Sequence, residues 1–227
     1  RKQGATLKFS KKELKGFFNL RQDMATRLIL VRHGETLWNA QKRYCGFSDP
    51  PLSNIGIWQA ERLACRLRNE KVDMAYSSDL KRAHETAILI FKNDKVEKLA
   101  DFREMNFGIF EGLMHTEIMN KYPKLYKSWV DSPMEVTIPG GERLRELYER
   151  VREELFFIIS RHKDKRIAVI THGGPIRVIL CDALKYNLKD FWQIEQDTGA
   201  LNIIEYSEEL EPRVIKMNDT SHLLTKE

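Results

Sequence analysis

A three-layer α/β/α sandwich is the fold this sequence predicts. Its sheet is expected to be mostly parallel with an antiparallel edge strand, and a helical insertion is expected over the sheet's carboxyl edge. Three observations predict it. From residue 26 onward, short apolar runs alternate with longer segments of helical period. Three of the apolar runs end in polar residues, two of them followed by glycine. The last two runs, "ALNIIEY" and "PRVIKMN", are separated only by the polar "SEELE", the pattern of a hairpin or edge pair.

The elements follow in chain order. "TRLILV" (26–31) is a short apolar run that meets Arg32, His33 and Gly34 at its end. "PLSNIGIWQAERLACRLRN" has Ser53 as an N-cap and a helical period through Ile57, Ala60, Leu63, Ala64 and Leu67. "VDMAYSS" is a second strand ending in small polar residues, and "DLKRAHETAILIF" a second helix. Residues 105–145 break the rhythm. They are rich in aromatics and interrupted by Pro123, Pro133 and Pro139, and they read as an insertion over the edge where open α/β sheets bind ligands. The chain resumes with the long helix "ERLRELYERVREELFFIISRH", a third strand "RIAVITHGG", and a helix "PIRVILCDAL" with proline at its start.

The 227 residues suit one α/β domain with insertions, or at most two small ones, and 42% hydrophobic against 31% charged residues is an ordinary globular balance. No run approaches the roughly 18 apolar residues of a membrane span, so no integral membrane segment is expected. The start has no apolar h-region, so no secretory signal is expected either. The net charge of +5 sits in residues 1–23, with seven Lys/Arg against Glu13 and Asp23. The remainder balances at 31 basic and 31 acidic residues. A basic extension (1–23) and one domain (24–227) are therefore expected. In the extension, "SKKE" with Leu14, Phe17 and Phe18 has the pattern of a short amphipathic helix. A body without basic excess argues against nucleic acid as a partner. Cys45, Cys65 and Cys181 are odd in number and widely spaced, which fits a reducing cytoplasm and neither a disulfide framework nor a zinc site.

In a parallel sheet the three polar strand ends share one edge. Arg32 and His33, Ser77 and Ser78 with Arg82 one turn on, and Thr171 with His172 would converge there. Taken singly, a histidine after a strand is commonly a satisfied polar residue, and an arginine at a helix start a solvated charge. Together they make a positive field. Arginine forks match phosphate oxygens, and histidine can be a nucleophile or a charge-stabilising donor. Gly34 and Gly173 let the backbone approach closely, and helix N-termini add anion-binding N–H groups. The natural guest is a phosphate. His84, His115, His162 and His222 lack ligand spacing and read as structural or surface residues.

"RHGETLWN" (32–39), "SSDLKRAHETA" (77–87), "FREMNFGIFEGL" (102–113) and "THGG" (171–174) together resemble, in order and spacing, the motifs of the histidine phosphatase superfamily, with its phosphoglycerate-mutase-like fold. The resemblance covers about residues 24–222. It implies a phosphoric monoester hydrolase that needs neither metal nor other cofactor. His33 matches the nucleophile that is transiently phosphorylated. Arg32, Arg82 and His172 match the phosphate clamp, Asn39 a further phosphate-pocket position, and Glu104 the acid/base residue. A neutral His33 should hold one ring proton against a backbone carbonyl. Cys45 and Gly46 lie in "RYCGFSDPPLS", a loop expected to line the pocket, and Gly173 follows His172 into it. Phe47, Phe107, Phe110, Met114 and Trp129 are candidates either for core or for a wall around a bulky leaving group.

The acid-bearing stretch is similar to the phosphatase branch rather than the mutases. Within that branch the chain looks most like α-ribazole phosphatases of cobalamin biosynthesis, acting on α-ribazole 5′-phosphate. Phosphoserine and broad-specificity sugar-phosphate phosphatases are alternatives, as is, less closely, a phosphoglycerate mutase. A catalytically dead phospho-ligand module is the non-enzymatic alternative. The expected partner is a small-molecule phosphate ester, and a homodimer is left open.

Overall fold

The structure, a computed structural model, describes residues 25–92 and 95–224. The amphipathic reading of the basic extension falls outside the described residues. Among them, β1 (Thr26–Arg32), β2 (Met74–Ser78), β3 (Glu97–Leu99), β4 (Arg166–Thr171), β5 (Leu201–Tyr206) and β6 (Pro212–Asp219) form one sheet in the order β3-β2-β4-β1-β5-β6. β1 to β4 are mutually parallel. β5 runs antiparallel to β1 and pairs with β6 as the expected hairpin at the sheet's edge.

Why the strand runs are apolar throughout is visible in their two faces. Leu28, Leu30, Ile167 and Val169 face one core, while Ile29, Val31, Ala168 and Ile170 face a second. A parallel strand covered on both sides has no polar face to spare. The second core is closed by α2 (Asn54–Leu67) through Leu63 and Leu67, and by α3 (Lys81–Phe91) through Ala83, Ala87 and Ile90. It follows α1 (Leu37–Ala40), a single turn. Ser53 caps α2 as expected, its hydroxyl accepting from Gly56 N at 3.1 Å. The first core is closed by α6 (Leu144–Arg161) and α7 (Gly173–Ala183), with α4 (His115–Lys121) and α5 (Pro123–Asp131) before them in the insertion. Each fully buried aliphatic or aromatic side chain contributes about 1.5–3 kcal/mol against exposure.

One reading needs correction and one strand was not foreseen. α7 begins at Gly173, two residues before Pro175, because His172 has the extended backbone of an N-cap. β3 was not expected: its three residues, Glu-Lys-Leu, are too short and polar to carry a strand pattern, and backbone pairing to β2 alone makes them one. The insertion has its own packing. Phe110 and Trp129 are fully buried, ringed by Tyr44, Phe107 and Tyr126 at centroid distances of 5.9–6.3 Å. They are core, whereas Phe47 stays exposed beneath the Arg103 guanidinium. Among the described residues no helix is long and apolar enough to cross a membrane.

Candidate active site

The register of two strands builds the centre of the site. Arg32 of β1 lies opposite Thr171 of β4, so the next residues, His33 and His172, leave the sheet side by side. His33 N donates to Thr171 O at 2.9 Å, and the two imidazole rings meet edge-on with centroids 5.0 Å apart. Gly34 turns the chain away beneath α2. A β-carbon there would sit 2.3 Å from Gly56 O, so only glycine fits.

The His33 ring has a defined tautomer. Nδ1 lies 2.7 Å from the Gly34 carbonyl, which can only accept, so Nδ1 carries the proton. Nε2 then keeps its lone pair and accepts weakly from Arg82 Nε at 3.3 Å. Burial, followed by the Arg82 and Arg32 charges, holds the imidazole pKa well below its ordinary value. The nucleophilic form is therefore the resting form. His172 is lowered for the same leading reason, burial, followed by Arg82. Both of its ring nitrogens are buried without a hydrogen-bond partner, as is Arg32 Nε.

Arg82 enters from the first turn of α3 and is wholly buried. Nη2 donates to Gly46 O at 2.7 Å, and Nη1 donates to Ser48 O at 2.8 Å and to Asp49 Oδ1 at 3.3 Å. Three donors are thus spent on one loop and the Nε proton faces His33. Gly46 earns its place through crowding: a β-carbon would lie 2.3 Å from Met105 O. Arg32 donates to the Gln196 carbonyl, and burial with the nearby Arg177 charge brings its pKa down to about 10.

Glu104 is nearly buried and sits at the start of α7. Its oxygens accept from Gly174 N at 2.9 and 3.1 Å, and Oε1 also from Met105 N at 2.9 Å. A methyl group at Gly173 would be 3.6 Å from Glu104 Oε2 and 3.7 Å from Arg32 Cζ. The structure thus brings Arg32, His33, Gly46, Arg82, Glu104, His172 and Gly173 to one spot. Asn39 spends its side-chain oxygen locally. Its Oδ1 accepts from Thr36 N and Oγ1 at 3.0 and 2.9 Å, closing a capping box at α1. Cys45 borders the site, its Sγ 3.5 Å from Ser48 O, and burial raises its thiol to about 11, so it stays protonated. The remaining histidines have structural partners: His162 with Tyr76, His84 with Ser77, His222 with Gly199 O, and His115 against the Tyr126 ring.

A family model described as the histidine phosphatase superfamily, branch 1, matches residues 28–220. The chain belongs to that superfamily. As a histidine phosphatase it is an enzyme of the phosphoric monoester hydrolase class. Over 199 residues it is 38% identical to phosphoserine phosphatase 1 of Hydrogenobacter thermophilus, covering 87% of this chain and 94% of that one. YhfR of Bacillus stearothermophilus superposes with a TM-score of 0.82 at 29% identity, over 88% of this chain and 100% of that one. The α-ribazole phosphatase of Shigella flexneri superposes with a TM-score of 0.78 at 25% identity, over 86% and 96%.

Two residues of this histidine phosphatase site carried no signal strong enough to single them out. Glu111 accepts from Phe47 N at 2.8 Å and Ser48 N at 2.6 Å, and so anchors the loop that grips Arg82. It lay in plain view in "FEG", but its partners are backbone groups distant in sequence. Arg177 lies four residues after Gly173 on α7, where helical spacing alone could have aimed it back at the site.

Proposed function

We propose that this chain is a metal-independent phosphomonoesterase working through a phosphorylated His33. The observation that carries the reading is the His33 ring, its proton held on the Gly34 carbonyl and its Nε2 lone pair turned to a buried arginine. In the first step Nε2 attacks phosphorus and the bond to the ester oxygen breaks. Glu104 gives the departing alcohol its proton. In the second step water attacks phosphohistidine, Glu104 takes the water's proton, and inorganic phosphate leaves with His33 restored. Arg32, Arg82 and His172 meet the equatorial oxygens, which is where such a transfer needs charge. Arg32 Nε and one N–H of the His172 ring, whose nitrogens are buried without partners, are left to donate to those oxygens. Asn39 and Cys45 complete the rim of the same pocket.

For the leaving group we put phosphoserine first and α-ribazole 5′-phosphate second, the reverse of the order expected from the motifs. The support for phosphoserine is the relative of that name, similar over nearly the full length of both chains. The structural neighbour from Shigella flexneri supports the second reading at lower identity. The test has two parts. His33→Ala should abolish turnover of an aryl phosphate while its circular dichroism stays native, and retained turnover would overturn the mechanism. A panel of phosphoserine, α-ribazole 5′-phosphate, sugar phosphates and 3-phosphoglycerate, ranked by kcat/KM, settles the leaving group.

A further inference from the structure

Next to Arg32 a second, half-buried guanidinium is aimed at the same spot. Arg177 lies one turn into α7. Helical side chains lean back toward the helix N-terminus, and the bare backbone of Gly173 leaves that path open. A methyl group at Gly173 would sit 2.9 Å from Arg177 Nη1, 3.6 Å from Glu104 Oε2 and 3.7 Å from Arg32 Cζ. Three charged groups therefore surround one point beside the phosphate clamp.

One short stretch holds both arginines in place. The Ile194 carbonyl accepts from Arg177 Nε at 2.8 Å, and the Gln196 carbonyl accepts from Arg32 Nη1. Phe191 packs on the Arg177 guanidinium at 5.7 Å from the ring centroid, which fixes its plane. Keeping two like charges this close is unfavourable. Burial lowers the pKa of Arg177, and its charge helps to lower that of Arg32, although Glu104 and Asp197 oppose both shifts. Among the described residues the bond to Ile194 is the one hydrogen bond Arg177 makes, so its Nη groups are uncommitted. In the phosphatase reaction Arg32 is taken by the phosphate.

We propose that Arg177 binds a carboxylate on the alcohol side of the ester, making this chain selective for phosphomonoesters of hydroxy acids. A single oriented guanidinium matches the two oxygens of a carboxylate. In phosphoserine the carboxylate is attached to the carbon next to the ester carbon, which suits two adjacent arginines with separate duties. The inference rests on the phosphatase reading of the same site and adds the part of the substrate that the phosphate clamp does not read.

The test compares phosphoserine with O-phosphoethanolamine, the same ester without the carboxylate, on the full chain. The wild type should favour phosphoserine in kcat/KM by at least about tenfold. In Arg177→Met that ratio should fall close to one, chiefly through KM for phosphoserine, and Arg177→Lys should recover part of it. A wild-type ratio near one, faster turnover of the carboxylate-free α-ribazole 5′-phosphate, or a ratio unchanged in Arg177→Met would each overturn the proposal. The wild-type comparisons need no variant to fold. His33→Ala separates the two readings. If it keeps turnover of both esters, the phosphohistidine mechanism fails. If it silences both while Arg177→Met leaves the ratio unchanged, only the role of Arg177 fails.

Discussion

Arg82 joins two jobs that sequence alone keeps apart. Its buried guanidinium ties down the 46–49 loop through Gly46 O, Ser48 O and Asp49, and its Nε faces His33. Lysine has the charge but a single nitrogen, so it cannot reach both carbonyls. Arg82→Lys should therefore leave a buried carbonyl unpaired and cost about 1–3 kcal/mol in a denaturant titration. It should also lower kcat on an aryl phosphate by about 10²–10³-fold, the usual loss of one oriented transition-state donor. Wild-type stability in that variant would mean the loop does not depend on the guanidinium. At this scale the sequence was legible where residues carry chemistry of their own. Arg32, His33, Arg82, Glu104 and His172 stand at strand ends or in recognisable motifs. Glu111 holds backbone groups distant in sequence, and Arg177 reaches the site only because its helix turns it there, so neither role leaves a mark in residue type.

At the scale of elements, the site depends on close contacts between segments. The turn after β1 and the first turn of α2 touch through backbone: a β-carbon on Gly34 meets Gly56 O at 2.3 Å, and one on Gly56 meets Glu35 O at 2.0 Å. Backbone cannot swing aside, so Gly34→Ala should cost about 1–3 kcal/mol or more and displace His33. A variant with native stability and native kcat would refute that contact. Glu111 fastens the insertion to the Arg82 loop. Glu111→Ala should cost about 1–3 kcal/mol and raise KM on an aryl phosphate. Glu111→Gln, which keeps one acceptor oxygen, should lose less on both measures. The strands were readable because doubly covered β1 and β4 must be apolar at every position, and the long helices because one face must be. β3 escaped because three exposed-edge residues bury too little to leave a pattern. The start of α7 was misplaced because the helix is opened by His172 and by Gly174 N meeting Glu104, which proline statistics do not report.

For the whole molecule, the site is a source of acid sensitivity. His33 and His172 both have pKa values held well below 6.5 by burial in the folded chain. On unfolding each regains an ordinary value near 6.5. The unfolded chain therefore binds more protons below that pH, and folding stability falls as pH drops through 6.5 toward the depressed native values. Each histidine adds a slope of up to about 1.4 kcal/mol per pH unit. Thermal midpoints should decline between pH 7 and 5.5, and His172→Asn should flatten the decline. Inorganic phosphate, whose charge favours a protonated His172, should raise the midpoint more at pH 5.5 than at pH 7. Equal shifts at both would argue against phosphate resting on that ring. The fold's layout also bears on descent. The grip on the phosphate is written into strand ends that the two cores hold fixed, whereas the insertion is one continuous stretch with its own aromatic packing. Such a chain can inherit its reaction unchanged while its clientele drifts, and relatives of one ancestry can come to serve different metabolites without ever relearning how to break the bond.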